Sequence, residues 1–536
     1  MIEKHDVVIT MPLPKRRYER TPCSTPAKIR IKRGLWTQTL TGVITDVSPT
    51  GAKINISSGG IAVKENDTVT LEWLVPPVLG NIPKEKKYEM PGRVVRFQGL
   101  SNTQKTLGVR IDQTIPEAIK TSEARLERTI VAGLMVIVAA VIIALKSRNV
   151  ISFWYQPIFQ VYSLAAAAFI LSRVGLSMFY RQPKDNGFMT AVTITLSVKN
   201  EETKIAEAIQ HIFESRYPKD LMELIVIDDG STDNTWHVLK TIEPLYPRMR
   251  IFRFEKNKGK RHGMALGAEK AKGNILIYID SDSFLEPEGI YRIVQPFYDK
   301  RVGAVAGHTM VFIEPDNFIS KMEAVRYFVS QRVMKASESI FNAVTCCPGP
   351  FSAYRREAVM PILSAWLNQT FLGTEATFGD DRSLTNFILR NYRVLYHAGA
   401  RCATYVPDRW SVFFRQQLRW KKSWIRETTI AARFMYQKSP VAAISYYVSV
   451  MVTVFSPIIA LRAMLYLPIV LDSFTFLPYL AGLLLVYVFF GLTYQFHTLS
   501  RKWIHGLAFA LLYVFFLSFQ NYYAVLTVRR NHWGTR

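Results

Sequence analysis

Five long apolar segments divide the chain into membrane and polar regions. They occupy residues 129–145, 152–172, 441–471, 476–496 and 504–527. Runs near or above about 18 residues with few charges are typical of membrane-spanning helices. A soluble protein can bury one such helix, but five together favour an integral membrane protein. The first two are joined by a few residues near Asn149, which predicts a membrane hairpin.

The region before the first apolar segment has the pattern of a small β domain. Short β-branched segments, separated by Gly, Pro and Asn, occur at 27–33, 42–47, 68–75, 92–97 and 107–111. This spacing predicts a small β-barrel within residues 1–115. The N-terminus lacks the apolar stretch of a signal peptide, so we expect the first 128 residues to stay in the cytosol.

Strands alternate with amphipathic helices between the second and third apolar segments. Buried strands are predicted at 191–198, 224–231, 250–256 and 274–282. Alternation of this kind predicts an α/β domain with a parallel sheet and helices on both faces. In such sheets ligands bind beyond the carboxyl ends of the strands.

The expected organisation is that of a multidomain membrane protein with a barrel, an α/β domain and a helical transmembrane bundle. Its predicted parts are a barrel (1–115), a linker and membrane hairpin (116–180), a cytosolic α/β domain (181–407), amphipathic interface helices (408–440) and a transmembrane region with a C-terminal tail (441–536).

The net charge of +25 does not indicate a nucleic-acid partner. Lys and Arg residues flank the apolar segments, as at Lys146, Arg173, Arg501 and Arg529, which fits the positive-inside rule and anionic headgroups of a lipid bilayer. The four cysteines (Cys23, Cys346, Cys347 and Cys402) lack metal-ligand spacing.

Acidic residues follow two of the predicted strands. Asp280 and Asp282 stand one residue apart after an apolar strand, where they can hold Mg²⁺ or Mn²⁺ together with water and a diphosphate. Asp228 and Asp229 come at the end of the predicted strand 224–231 and can accept hydrogen bonds from a uracil or ribose. A purely structural role is the alternative for each pair: a surface loop or helix cap for Asp280 and Asp282, and a turn for Asp228 and Asp229.

Basic residues and a second acidic pair complete the candidate chemistry. Lys260 and Arg261 follow a glycine and can meet phosphate, unless they belong to a solvated basic loop. Asp380 and Asp381 open an apparent helix, where a carboxylate can act as general base towards an acceptor hydroxyl or can cap the helix.

A basic, aromatic stretch precedes the third apolar segment and predicts an amphipathic helix at the membrane surface. Within it, Trp420 can stack on a sugar face and Arg419 can contact phosphate. Anchoring at the interface would explain this composition, but it would not explain Gln416.

Taken together, DDGS (228–231), DSD (280–282), GDD (379–381) and QQLRW (416–420) resemble the processive family-2 glycosyltransferases. The likeness covers about 190–536 and is greatest to bacterial hyaluronan synthases, through the stretch 371–427 and the terminal WGTR. Chitooligosaccharide and cellulose synthases share the core motifs. The resemblance implies a GT-A-like α/β domain, an inner-membrane enzyme of bacteria and UDP-sugar donors.

The same resemblance implies roles for individual residues. Asp229 would bind uridine, Asp282 the metal, and Asp381 would be the general base of an inverting reaction that makes β-linkages. Gln416, Arg419 and Trp420 would hold the diphosphate and the growing polysaccharide acceptor. Trp533 and Arg536 would lie near the nucleotide on the cytosolic side. The polymer would leave through a channel between membrane helices.

The first domain resembles a PilZ domain, a receptor for cyclic di-GMP. Arg16 and Arg20 fit an RxxxR pattern, and Asp46, Ser48 and Gly51 fit DxSxxG. Guanidiniums can meet the phosphates and guanine edges, while Asp46 and Ser48 can bond a guanine. The resemblance implies cyclic di-GMP as an allosteric activator. Hyaluronan synthases do not typically begin with such a domain. The resemblance to them therefore predicts the type of reaction more firmly than the identity of the sugar.

Three questions stay open at the level of sequence. The polymer is expected to be hyaluronan-like, from UDP-GlcNAc and UDP-GlcA, but a single-sugar β-glycan (chitin, cellulose or mixed-linkage glucan) or a mannuronan keeps every motif. A non-catalytic cyclic di-GMP receptor that scaffolds a secretion complex would leave the three later motifs without a purpose. Three crossings after residue 440 would put the C-terminus outside, so either one apolar segment is re-entrant or 441–496 crosses three times.

Overall fold

The computed structural model divides into two compact units, residues 1–130 and 131–536. The residues that it describes are 21–33, 36–48, 51–57, 63–64, 67–75, 86–99, 104–111, 115–151, 157–312, 316–471 and 476–530.

The first unit contains the predicted barrel, closed by antiparallel strands in the order β1-β2-β3-β6-β5-β4. The strands are β1 (Thr21–Arg33), β2 (Trp36–Ser48), β3 (Gly51–Ser57), β4 (Thr68–Val75), β5 (Lys86–Gly99) and β6 (Gln104–Ile111). Strand β3 is absent from the sequence prediction, although Ile54 and Ile56 are buried and Lys53 and Asn55 are exposed, as the period of two requires. Trp73 lies in the barrel core.

The second unit is built on an eight-stranded sheet in the order β11-β16-β12-β13-β10-β7-β8-β9. Its strands are β7 (Val192–Val198), β8 (Met222–Asp228), β9 (Met249–Arg253), β10 (Ile275–Asp280), β11 (Ser283–Leu285), β12 (Val302–Val311), β13 (Phe351–Arg355) and β16 (Arg393–Thr404). Strands β10, β7, β8 and β9 are parallel, as predicted. The sheet as a whole is mixed, because β13 runs antiparallel between β10 and β12.

Helices cover both faces of this sheet. Its α/β helices are α3 (Ile205–Phe213), α4 (Thr235–Ile242), α5 (Lys260–Lys270), α6 (Gly289–Val294), α7 (Phe318–Phe328), α8 (Ala336–Ile340), α9 (Arg356–Val359), α10 (Leu363–Leu367) and α11 (Asp380–Leu389). Alternate residues of β10 enter two different cores: Leu276 packs with α5, and Ile277 packs with α3. A hairpin of β14 (Thr370–Phe371) and β15 (Thr374–Glu375) precedes α11.

The remaining helices are α1 (Ile115–Ile151), α2 (Pro157–Phe179), α12 (Trp410–Met435), α13 (Pro440–Leu461), α14 (Leu467–Leu471), α15 (Phe476–Thr498), α16 (Ile504–Leu512) and α17 (Ser518–Leu526). Within the described residues they provide five candidate membrane spans by length and composition: Ala124–Lys146, Phe159–Phe179, Pro440–Val470, Tyr479–Thr498 and Arg501–Leu526. The predicted polar linker and the first apolar segment form one continuous helix, α1. Helices α13 and α14 join through a π-helical turn at Arg462–Tyr466, and α16 and α17 through another at Tyr513–Leu517.

The last apolar segment, α16–α17, contacts α7 near its start and α12 near its end. Near its start, His505 lies 5.6 Å from the ring of Phe318 on α7. Near its end, Gln520 donates to the carbonyl of Phe414 on α12 at 3.0 Å. Past the end of α17, Lys422 of α12 donates to the carbonyl of Arg530 at 3.2 Å.

Candidate active site at the carboxyl edge of the sheet

Asp228 ends β8 and stabilises the turn that follows. Its buried carboxylate accepts a hydrogen bond from the amide of Ser231 at 2.9 Å. It also pairs with Arg253 at the end of β9, with Nε and Oδ2 3.1 Å apart. Between them, Gly230 adopts φ +67°, and a Cβ there would meet the backbone of Asn257 at 2.8 Å. The DDGS sequence therefore makes a tight turn whose first carboxylate is occupied by the protein.

Asp229 fastens the loop that precedes α5. Its two oxygens accept hydrogen bonds from the amides of Lys258 at 2.7 Å and Gly259 at 2.9 Å. Burial raises the pKa of Asp229, although these two amides and the charge of Lys199 oppose the shift. The side chain predicted to bind uridine thus holds the basic loop against the sheet edge.

Asp280 ends β10 and Asp282 lies two residues further on. Strand β10 is parallel to β7, which separates it from the parallel strand β8, so these carboxylates lie at the same edge as Asp228 and Asp229. Burial, and then the neighbouring charge of Asp280, raise the pKa of Asp282 to about 6. A carboxylate that is destabilised in this way gains from a nearby cation. Thr404 of β16 donates to Asp282 at 3.4 Å.

These two carboxylates fit a hard divalent cation that takes its other ligands from water and phosphate oxygens. Within the residues that the structure describes, no group of three or more His, Cys, Asp or Glu side chains could enclose a metal on its own.

Lys260, the first residue of α5, forms an ion pair with Asp280. Burial opposes the charge of Lys260, but the carboxylates of Asp280, Asp381 and Asp380 together raise its pKa. Gly349 packs against this pair, since a Cβ there would lie 3.1 Å from Lys260 Nζ and 3.2 Å from Asp280 Oδ2. Sequence reasoning missed Gly349; its only signal is the PGP turn before β13.

Arg261 and Asp380 are paired with each other inside the protein. Arg261 Nε lies 2.7 Å from Asp380 Oδ1, and the two side chains are 4% and 5% exposed. Arg261 also donates to the carbonyl of Trp366 at 3.2 Å and lies over its ring. Residues predicted to bind phosphate and to act in catalysis therefore form a buried ion pair, which leaves the next residue, Asp381, as the carboxylate available to substrate.

Asp381 lies in the first turn of α11 and is partly exposed. It accepts a hydrogen bond from the amide of Arg382 at 2.8 Å, and Cys346 Sγ lies 3.7 Å from its other oxygen. Burial and the charge of Asp381 raise the pKa of Cys346 to about 11, so this thiol stays protonated at neutral pH. Cys346 is a second site neighbour that the sequence did not indicate.

Helix α12 carries the QQLRW sequence beside these carboxylates. Burial lowers the pKa of Arg419, whereas the charges of Asp381, Asp280 and Asp380 act in the opposite sense. Trp420 is covered on one face by Arg326, whose guanidinium lies 4.7 Å from the ring centroid. Gln416 Oε1 and Gln417 Nε2 are buried without a hydrogen-bond partner in the described part of the chain. Such groups are suited to bind the hydroxyls of a sugar.

Several predicted site residues lie elsewhere. Trp533 and Arg536, together with Arg16 and Arg20, lie outside the described residues. Asp46 and Ser48 belong to the end of β2, and Gly51 begins β3 opposite Ser48. The DxSxxG sequence therefore spans the β2–β3 connection of the barrel.

Comparison with known proteins agrees with this division of the chain. Residues 193–363 match the glycosyl transferase family 2 model, and residues 14–130 match the PilZ domain model. The first match covers most of the α/β region and ends before α11, the second covers the barrel, and together they confirm both sequence resemblances.

The chain is also similar to named proteins. It is 29% identical over 385 residues to a hyaluronan synthase of Streptococcus pyogenes, covering 70% of this chain and 90% of that protein. It is 32% identical over 212 residues to an N-acetylglucosaminyltransferase of Azorhizobium caulinodans, covering 39% of this chain and 53% of that protein. Among solved structures, a mannosyltransferase of Pyrobaculum calidifontis, in complex with GDP-Man and Mn²⁺, aligns with a TM-score of 0.44 and 19% identity, covering 70% of this chain and 99% of that chain. From these matches, the chain contains a family-2 glycosyltransferase domain at 193–363 and a PilZ domain at 14–130.

Proposed function

We propose that the protein is a processive, inverting polysaccharide synthase that transfers sugars from UDP donors to a growing β-linked chain and exports it. The observation that carries the proposal is the meeting of three groups at one edge: the Asp280–Asp282 pair with Lys260, the carboxylate of Asp381, and Arg419 with its neighbours on α12. Helix α13, a candidate membrane span, begins shortly after α12 ends.

In this reaction the donor diphosphate would lie against Asp280, Asp282 and Lys260. A bound Mg²⁺ or Mn²⁺ would neutralise part of the charge of the leaving UDP. Asp381 would take the proton of the acceptor hydroxyl as that oxygen attacks the anomeric carbon. Trp420, Oε1 of Gln416 and Nε2 of Gln417 would hold the acceptor terminus, with Arg419 near the phosphates. Asp229 would act through the Lys258–Gly259 loop that it fastens.

The favoured product is hyaluronan-like, made from UDP-GlcNAc and UDP-GlcA. Similarity to hyaluronan synthases over 70% of the chain supports this choice. A chitin-like or other single-sugar product is the second candidate, supported by the N-acetylglucosaminyltransferase relatives. Membrane vesicles that contain the protein should be given each UDP-sugar singly and in pairs, and the polymer digested with specific glycosidases. Polymer only from the pair supports the first product, and efficient polymer from one sugar supports the second.

We further propose that cyclic di-GMP binds the PilZ domain and raises the rate of synthesis. The ligand would use Arg16, Arg20, Asp46, Ser48 and Gly51. Arg20→Ala removes charge-assisted hydrogen bonds worth about 1.5–3 kcal/mol each, so affinity should fall at least about tenfold. Calorimetry tests the binding, and a synthesis assay with and without the dinucleotide tests the activation. Binding without a change of rate would leave a receptor but remove the regulation.

The protein is proposed to lie in the inner membrane of a bacterium, with the catalytic and PilZ domains in the cytosol. Arg530 contacts α12 through Lys422, and the start of α16 contacts α7 through Phe318. Both ends of the last apolar segment thus contact elements of the catalytic side. This supports a re-entrant or interfacial α16–α17 and a cytosolic C-terminus, which agrees with the positive charges of Arg529 and Arg530.

A further inference from the structure

Polar side chains buried between α5, α11 and α12 form one connected group that the proposed chemistry does not use. We call this group the buried polar network; its members are Arg261, Gln369, Asp380, Asn386, Arg426 and Glu427. Every member is less than 9% exposed. Two carboxylates balance two guanidiniums, so the network has no net charge, which is the condition under which buried ions are tolerated.

Gln369 joins the two ion pairs. Its Oε1 accepts from Arg261 Nη1 at 3.3 Å and from the hydroxyl of Ser383 at 2.5 Å. Its Nε2 donates to Glu427 Oε1 at 3.1 Å. Only an amide offers an acceptor on one side and a donor on the other in this shape. A leucine at this position would remove both links, and an ionised carboxylate would keep the link to Arg261 but lose the one to Glu427.

Glu427 joins α11 to α12. Its Oε1 also accepts from Arg426 Nε at 2.7 Å, and its Oε2 accepts from Asn386 Nδ2 of α11 at 3.0 Å. Helix α11 begins with Asp380 and Asp381, and Glu427 lies about two turns after Arg419 on α12. The network therefore fixes the helix that carries Asp381 against the helix that carries QQLRW.

We propose that Gln369 and Glu427 are positioning residues that hold Asp381 in register with the acceptor-binding face of α12; this inference rests on the proposed function. A partly satisfied buried network loses its rigidity, because each unpaired group seeks another partner. Misplacement of a reacting group by about 1 Å can cost about 10²-fold in rate. The donor side is held separately, by Asp229 on its loop and by the Lys260–Asp280 pair. The effect should therefore fall on kcat rather than on donor affinity.

The test uses the full-length protein in lipid nanodiscs. Gln369→Glu keeps the shape and the acceptor for Arg261 but turns a carboxylate oxygen towards Glu427. We expect kcat for sugar incorporation to fall about tenfold to a hundredfold. The Kd for UDP, measured by calorimetry, should stay near the wild-type value. Asn368→Asp, at the exposed neighbouring position, is the matched control and should behave as wild type.

A double variant, Gln369→Glu with Glu427→Gln, exchanges the acid and the amide and restores a donor opposite an acceptor between these two positions, while it loses the bond from Arg426 Nε to Oε1 of residue 427. Its kcat should therefore recover in part and exceed that of each single variant, and the recovery supports a positioning role where the three variants unfold at similar temperatures. If Gln369→Glu does not fold, Glu427→Gln and the double variant supply the same comparison.

Wild-type kcat in the single variants would overturn the proposal. Equal losses of kcat and UDP affinity, with a lower unfolding temperature and no recovery in the double variant, would overturn it as well. The wild-type arm tests the proposed function separately, since a wild-type protein that incorporates no sugar contradicts the proposed function itself. If the wild-type protein is active and one of the two contradicting results is found for the variants, only the positioning role is wrong.

Discussion

The acidic residues of the site differ in their partners, and the partners decide what each carboxylate can do. Asp228 and Asp380 are paired with Arg253 and Arg261, and Asp229 accepts bonds from two backbone amides. A buried carboxylate held in this way is less accessible to a substrate than a partly exposed one. Chemistry is therefore expected at the partly exposed groups: Asp282, Asp381, and Asp280 together with its partner Lys260, itself a candidate phosphate ligand.

Asp381→Asn should lower kcat about 10²- to 10⁴-fold, because an amide cannot take the acceptor proton. The affinity for UDP should stay close to wild type, since the change is isosteric and Arg261 pairs with Asp380 instead. Radiolabel incorporation and calorimetry measure the two quantities. Asp220→Asn, on an exposed turn, is the control. Turnover at the wild-type rate in Asp381→Asn would remove the assignment of the base.

Asp282→Asn should weaken UDP binding in Mg²⁺ or Mn²⁺ and abolish most of its dependence on the metal. Wild-type protein in excess EDTA should bind UDP about as weakly as the variant does, because both have lost the cation between carboxylate and diphosphate. Asp299→Asn, which alters a surface pair with Arg301, should keep the wild-type response. Full synthesis in EDTA would show that the metal prediction is wrong.

At the scale of elements, the junction of α11 and α12 is the most tightly constrained part of the site. Gly379 caps α11 with φ +78°, and a Cβ there would overlap Ser423 Oγ on α12. The carbonyl of the preceding residue, Phe378, accepts a hydrogen bond from Arg426. The position of Asp381 relative to Arg419 thus depends on close backbone contact as well as on the buried polar network.

Gly379→Ala should reduce synthesis strongly and lower the unfolding temperature, because it combines positive-φ strain with an overlap against α12. Gly373→Ala is a matched control: its φ is also +78°, but nothing lies within 4 Å of its Cβ position. The strain shared by both variants is about 1 kcal/mol. Synthesis rates and thermal unfolding of both variants measure the difference. Equal effects of the two substitutions would contradict a requirement for close packing of α11 on α12.

At the scale of the whole molecule, the arrangement of the membrane helices decides on which side the chain ends. Five candidate spans, each crossing once, would put the two ends of the chain on opposite sides. The contacts of Arg530 with Lys422 and of His505 with Phe318 favour a last segment that returns to the catalytic side. Its π-helical turn at Tyr513–Leu517 lies between these two ends.

A fluorescent protein fused after Arg536 should fluoresce, and alkaline phosphatase at the same position should be inactive, because the C-terminus is expected in the cytosol. The same reporters inserted between Leu471 and Phe476 should give the opposite result and serve as the control. Active phosphatase at the C-terminus would mean that α16–α17 crosses the membrane once.

Local pattern was sufficient for much of the fold and for the type of reaction. Period-two alternation predicted most of the barrel, and long apolar runs predicted the five candidate spans, because side-chain burial in these elements repeats along the chain. The motifs predicted the family that the comparisons confirm. The roles of individual site residues and the identity of the sugar stay predictions, since similar motifs serve several polymers.

The sequence by itself determined which elements form, which residues end the parallel strands, and which chemistry these residues can perform. Tertiary structure alone decided which carboxylates are free to act. Asp380 and Asp381 are adjacent in the chain, but the helix directs the side chain of Asp380 towards Arg261 and that of Asp381 towards the site. The tertiary structure also places β13 antiparallel within the sheet, and it brings Gln369 within hydrogen-bond distance of Glu427, which lies 58 residues further along the chain. Such partners are set by packing between distant segments, and no local periodicity records them.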